Sequence, residues 1–159
     1  MPFYKINSTT GLTLIELLIV MAVIAVAGVS AVTATQNLRR RTLQNAALTL
    51  QADIRWAQRN AMIEGRRIRL ALNQSGNNYA LEDLNLGISH PQRFIKRVEF
   101  PPGVNLFSDT GGLWRYEFLP RGTPGFGGAI TLRYHPFEVE ITVLPASGRV
   151  EIKEIERIK

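Results

Sequence analysis

One carboxylate stands where water is scarce. Glu16 is the only charged residue between Leu12 and Val32, about 21 mostly apolar positions, close to the ~20 that a helix needs to cross a bilayer. A carboxylate in the middle of such a run costs roughly 2.5 to 3.5 kcal/mol by insertion scales. Glu16 therefore marks either a helix end that reaches headgroup water or a function that supplies a partner for the charge. The other residues able to do chemistry are scattered. His90 and His135 each precede a proline, which places both in extended or turn backbone and predicts surface-loop histidines. Glu138 and Glu140 alternate along one predicted strand, the pattern of a solvated sheet face rather than of a catalytic carboxylate pair. Asp109 and the Glu82-Asp83 pair lack EF-hand spacing, and the sequence has no Gly-x-x-x-x-Gly-Lys loop. No convergent set of acids, bases or metal ligands emerges, so the reading is of no enzyme, no catalytic residue, no metal and no cofactor.

The elements that must position these residues follow from periodicity. Past Val32 no proline occurs before Pro91, and Leu43, Ala47, Leu50, Ile54, Ala57 and Ala61 recur at steps of four and three. Those steps put them on one helical face, whereas Gln44, Gln51, Arg55 and Gln58 fall elsewhere on the wheel. The helix is predicted from about Leu12 to about Glu64 with Gly65 as its stop, roughly 80 Å at 1.5 Å per residue. Its second half is expected to pack on a globular domain, leaving the apolar first half for lipid or for other copies. Trp56 and Ile63, one heptad apart, are expected to cover a sheet edge.

From Arg66 the period becomes two. Ile68, Leu70 and Leu72 alternate with Arg67, Arg69 and Ala71, and the polar stretch from Asn73 to Asn78 turns the chain into a second strand at Tyr79 to Leu81. Further strands are expected at Phe94 to Phe100, Tyr116 to Leu119, Ala129 to Tyr134, Val139 to Leu144 and Arg149 to Ile155. Glycine and proline concentrate between Pro101 and Gly128, which predicts long loops there.

The 159 residues allow one soluble domain of roughly 120 residues with its own core. The absence of cysteine excludes disulfides and thiolate metal sites. The net charge is +6, and its distribution matters more than its size. Eight arginines between Gln36 and Leu70 face only Asp53 and Glu64, while from Ala71 onward ten basic residues balance ten acidic ones. A solvated helix face, anionic headgroups beside the membrane, or nucleic acid would each suit that excess.

Gly11 just before the apolar run, a short polar leader with one lysine, and a carboxylate five residues beyond the glycine form a constellation. Gly11-Leu12-Thr13-Leu14-Ile15-Glu16 resembles the class III signal of type IV prepilins and pseudopilins, whose usual form is Gly-Phe-Thr-Leu-Ile-Glu. The resemblance implies cleavage after Gly11 by a membrane prepilin peptidase, a mature and N-methylated chain starting at Leu12, and an assembly role for Glu16. The partner it implies for Glu16 is the N-terminal amine of a neighbouring subunit, and a paired charge is far less costly in lipid than a lone one. Leu12 departs from the usual phenylalanine.

The second half extends the likeness. Phe100-Pro-Pro-Gly103-Val104, Phe118-Leu-Pro-Arg-Gly122, Gly128-Ala-Ile-Thr-Leu132 and Ser147-Gly-Arg-Val150 resemble the GspH/FimT group of minor pseudopilins and minor pilins. That group implies an α+β fold, a long N-terminal helix packed on an all-β domain of two sheets. The implied organisation is a leader over 1–11, a long helix over 12–64 with a transmembrane part over 12–32, and a β-rich domain over 66–159. The implied function is a non-enzymatic subunit at or near the tip of a type IV pilus or a type II secretion pseudopilus. Its partners would be the membrane, the peptidase and other pilin subunits in a hetero-oligomeric filament.

Localisation would be the inner membrane, N-terminus inside and globular domain outside, and then the filament. Arg39 to Arg41 taken alone favour the reverse orientation, since the leader carries only Lys5. Some FimT-type pilins bind DNA through Gly-Arg-x-Arg. Here Gly148-Arg149-Val150 matches and Glu151 replaces the second arginine, which leaves Arg149 with Lys153 as the candidate nucleic-acid contact. Two other readings stand beside the filament subunit. One is a DNA-uptake pilin. The other is a secreted or single-pass anchored β domain, its signal cut near Ala25 and Ala27 or Val29 and Ala31.

Overall fold

The computed structural model describes residues 13–108, 115–145 and 147–158, and among these the side chains of 27–33 are not described. The chain divides into two compact units between Asn37 and Leu38. One helix, α1 (Leu14–Glu64, 51 residues), contributes to both. Its stop is the expected one. Gly65 takes φ +61°, a left-handed conformation that costs glycine nothing, and the Arg66 N–H then donates 3.2 Å back to the Ala61 carbonyl.

In the larger unit, antiparallel strands build two sheets. The first sheet joins β1 (Ile68–Asn73), β2 (Asn78–Asp83), β3 (Phe94–Glu99) and β5 (Arg115–Phe118) in the order β3-β2-β1-β5. The second joins β4 (Asn105–Ser108), β6 (Gly128–Tyr134), β7 (Phe137–Val143) and β8 (Val150–Ile152) in the order β4-β6-β7-β8. A short strand β9 (Glu156–Arg157) also pairs with β7.

The buried face of α1 is the one its periodicity predicts. Leu43, Leu50, Ile54, Ala57 and Ala61 are fully buried, with Ala47 almost so. They pack with Ile68, Leu70, Leu81 and Tyr116 of the first sheet and Leu106, Ile130, Leu132 and Ile141 of the second in one core. Each leucine or isoleucine buried this way contributes about 1.5 to 3 kcal/mol. The four alanines at 46, 47, 57 and 61 provide the narrow side of that face. The expected helix on a two-sheet β domain is therefore the fold that forms.

Three local expectations are corrected. The stretch assigned to loops after Pro101 contains β4, whose Leu106 enters the core together with Val104 just ahead of the strand. The strand expected over Arg149 to Ile155 is shorter, β8 ending at Ile152, and β9 follows beyond the expected range, pairing with the other end of β7. Ile63 covers nothing, being 72 % exposed, whereas Trp56 does line a recess with Ile95 and Lys96 of edge strand β3.

Candidate functional site

The N-terminal site is built on the first turn of α1. Thr13 stands just ahead of the helix, and its Oγ1 accepts the Glu16 N–H at 3.3 Å while its carbonyl accepts the Leu17 N–H at 3.1 Å. Thr13-Leu14-Ile15-Glu16 thus has the spacing of a capping box, with threonine at the cap and glutamate three residues on. Glu16 lies in the first turn, where a negative charge is favoured by the exposed N–H groups of the helix. This local role was missed at the sequence level, although Thr-x-x-Glu ahead of an apolar run is its ordinary signature. Gly11 and Leu12 lie outside the described residues.

From Leu14 to Val26 the described side chains are exposed in the single chain, Leu14 at 82 %. Among the described residues no helix is long and apolar enough to cross a membrane. The run expected to be transmembrane, 12–32, includes residues 27–32, whose side chains are not described.

The C-terminal candidate is built differently. Gly148 adopts φ +67°, and a Cβ there would stand 3.0 Å from the Gly122 carbonyl oxygen and 3.2 Å from Gln58 Nε2. The glycine of Gly148-Arg149-Val150 is therefore demanded by the backbone. Gln58 Nε2 donates 2.5 Å to the Gly148 carbonyl and Gln51 Nε2 donates 3.2 Å to the Val150 carbonyl. Those two glutamines, placed off the packing face by periodicity, are half-buried clamps that fasten the C-terminal strand to α1.

Arg149 and Lys153 are both exposed, and neither charge is free. Arg149 Nε lies 3.1 Å from Glu151 Oε1, and Lys153 Nζ lies 2.8 Å from Glu140 Oε1. The hydrogen bond from Lys153 holds the Glu140 carboxyl below its ordinary range against a smaller opposing effect of burial, and the same bond raises Lys153. Glu140, expected to be a bland solvated residue, thus neutralises one of the two cations proposed for nucleic acid.

A further buried group had no sequence signal beyond its position on the packing half of α1. Asp53 is 9 % exposed. It accepts from the Tyr79 hydroxyl at 2.6 Å and from Lys96 Nζ at 2.7 and 2.8 Å, which ties α1 to β2 and β3. Burial, then the hydrogen bond and charge of Asp53, push the Tyr79 phenol well above its ordinary pKa.

Residues 6–32 match the model of the prokaryotic N-terminal methylation motif. No curated protein matches the sequence. The fold is that of two minor subunits of known structure. The type IV minor pilin FimU of Pseudomonas aeruginosa superposes with a TM-score of 0.58 at 15 % identity, over 70 % of this chain and 93 % of that one. A second crystal form of FimU gives 0.60 at 16 % identity, over 72 % and 90 %. The minor pseudopilin EpsH of the Vibrio cholerae type 2 secretion system gives 0.56 at 10 % identity, over 70 % and 95 %. An N-terminal methylation motif of prepilins joined to the fold of FimU and EpsH identifies this chain as resembling a type IV minor pilin or minor pseudopilin.

Proposed function

We propose that this chain is a GspH/FimT-type minor subunit, cut after Gly11 by a prepilin peptidase, methylated on Leu12 and incorporated at or near the tip of a type IV pilus or type II secretion pseudopilus. The observation that carries the reading is the methylation motif over 6–32 leading into an exposed apolar helix ahead of a minor-pilin domain. In this reading residues 12–32 span the inner membrane, N-terminus inside and globular domain outside, until assembly moves them against other subunits. The exposed apolar side chains of α1 are then buried first in lipid and later in the filament. Thr13 caps the helix, and Glu16 in its first turn pairs with the freed amine of a neighbouring subunit, setting the axial register between copies.

The deciding experiment is N-terminal sequencing and intact mass of the chain recovered from cells that also express its prepilin peptidase. A chain beginning at methylated Leu12 is the expected product; one beginning near Ala31, or an uncut one, would remove the reading. Glu16→Ala tests the assigned role separately. Cleavage should persist while the amount recovered in sheared filaments falls at least tenfold, and unchanged incorporation would show that Glu16 does not set register.

A further inference from the structure

The side of α1 that faces away from the core of the β domain is not an ordinary solvated surface. Leu48, Ala52, Trp56 and Ile63 follow one another at steps of four, four and seven, opposite the buried face of the same helix. All four are exposed, Trp56 at 42 % and Ile63 at 72 %. The stripe from Leu48 to Ile63 runs about 22 Å at 1.5 Å per residue, and the small Ala52 within it lets a neighbouring backbone come close. Trp56 also lines a recess of 220 Å³ with Ile95, Asp53 and Lys96, and the last two already satisfy each other at 2.7 Å. The recess has room for one aliphatic side chain.

The charges on this side have one sign. Arg41, Arg55 and Arg59 share the sector with the stripe, are exposed, and make no salt bridge or side-chain hydrogen bond among the described residues. Between Arg41 and Ile63 the only acidic residue is Asp53, which is buried and bonded to Tyr79 and Lys96. Arg55 and Arg59 stand four apart, where like charges destabilise a helix. A helix face kept for solvent mixes its signs so that such pairs attract. Here three arginines surround exposed apolar side chains, and carboxylates from outside the chain would relieve them.

We infer that this face docks a helix of a different subunit of the same filament, one whose apolar stripe is flanked by aspartate or glutamate. An aliphatic side chain of that helix enters the recess beside Trp56, its carboxylates meet Arg55 and Arg59, and Leu48 and Ile63 close the ends of the seam. Tryptophan and arginine are residue types on which interface energy concentrates. A second copy of this chain offers no such helix, because the carboxylates of its α1 are Glu16, Asp53 and Glu64 alone, and two such faces would set arginine against arginine. The contact therefore does not propagate from copy to copy, which suits a minor subunit among unlike neighbours. The inference rests on the minor-subunit reading and adds to it which face meets a neighbour and what chemistry that neighbour brings.

The full chain with a benzophenone-bearing phenylalanine in place of Ile63 is expressed with its peptidase in cells that assemble the filament and irradiated, and the linked peptides are identified by mass spectrometry. The expected adduct joins position 63 to a helical segment of another filament subunit, with an aspartate or glutamate within one turn of the linked residue. Arg55→Glu combined with Arg59→Glu should cut its yield at least about tenfold, whereas Arg55→Lys combined with Arg59→Lys keeps the charge and should hold it within about twofold. An adduct to a second copy, to lipid or to a segment without acids would overturn the inference. So would equal yields from the Glu and Lys variants, or no adduct from chains that enter filaments at the wild-type level, and either would leave the subunit reading intact. Absence of the wild-type chain from filaments would instead remove that reading and this contact with it. The identity of the adduct is read with both arginines in place, so it decides the question even where the Glu variant fails to accumulate.

Discussion

A carboxylate buried on a helix has to be satisfied by whatever the helix packs against, and at Asp53 that is one phenol and one ammonium. Tyr79 is almost fully buried, so losing its partner would strand a hydroxyl, whereas the partly exposed Lys96 keeps access to water. Tyr79→Phe removes a hydrogen bond to a charged acceptor and should cost about 1.5 to 3 kcal/mol at pH 7, read from melts of the solubilised full chain. Because the folded state raises the Tyr79 pKa, this stabilisation is complete below the ordinary phenol value and is lost as pH rises beyond it. Wild-type stability should therefore fall above about pH 10 more steeply than that of Tyr79→Phe, with Lys96→Met as the control for the other partner of Asp53. Equal alkaline slopes in all three proteins would remove Tyr79 as the source. The nucleic-acid candidate is also decided residue by residue. Contact of Arg149 with a phosphate must compete with Glu151 at 3.1 Å, so Glu151→Gln should strengthen salt-sensitive DNA binding and Arg149→Ala should weaken it. If both variants bind DNA no differently from wild type at low salt, the C-terminal strands hold no such site.

At the scale of elements, the parts that could be read from the sequence are those whose signal is local. The packing face of α1 was written in steps of three and four, its end in Gly65, and the first hairpin in alternation across an asparagine-rich turn. What escaped depends on partners distant in the chain. Val104 and Leu106 alternate as strand residues should, but the four residues 105–108 become β4 only because β6 offers its edge. Gln51 and Gln58 look like solvent-facing helix residues until a strand some 90 positions later presents its carbonyls to them. Asp53 carries no mark that separates it from a surface acid. The Gly148 turn is where these two kinds of information meet, since the glycine was visible and its reason was not. Gly148→Ala places a side chain in left-handed backbone and against Gln58, and should cost about 1 to 2 kcal/mol. Gln58→Ala at the same clamp should cost roughly 0.5 to 1.5 kcal/mol. The two effects should fall short of additivity in a double variant, because both act on one hydrogen bond; strict additivity would mean that the clamp does not hold the turn.

For the whole molecule, the division between Asn37 and Leu38 separates two compact units. Beyond it, α1 belongs to the β domain, supplying Leu43, Leu50, Ile54, Ala57 and Ala61 to a core that both sheets share. Before it, the described side chains from Leu14 to Val26 have no core in the single chain to enter. A chain starting at Leu38 should therefore fold as a soluble, cooperatively melting domain, whereas one starting at Arg66 loses the helical wall of its core. Removing three fully buried large aliphatic residues together with the alanine face forfeits on the order of 5 to 9 kcal/mol, comparable to the entire stability of a domain of this size. The shorter chain should show no cooperative melt and should expose apolar surface to a dye. Should it melt as sharply as the longer one, the two sheets would be self-sufficient, and the second half of α1 would be a strut laid on the domain rather than part of its core.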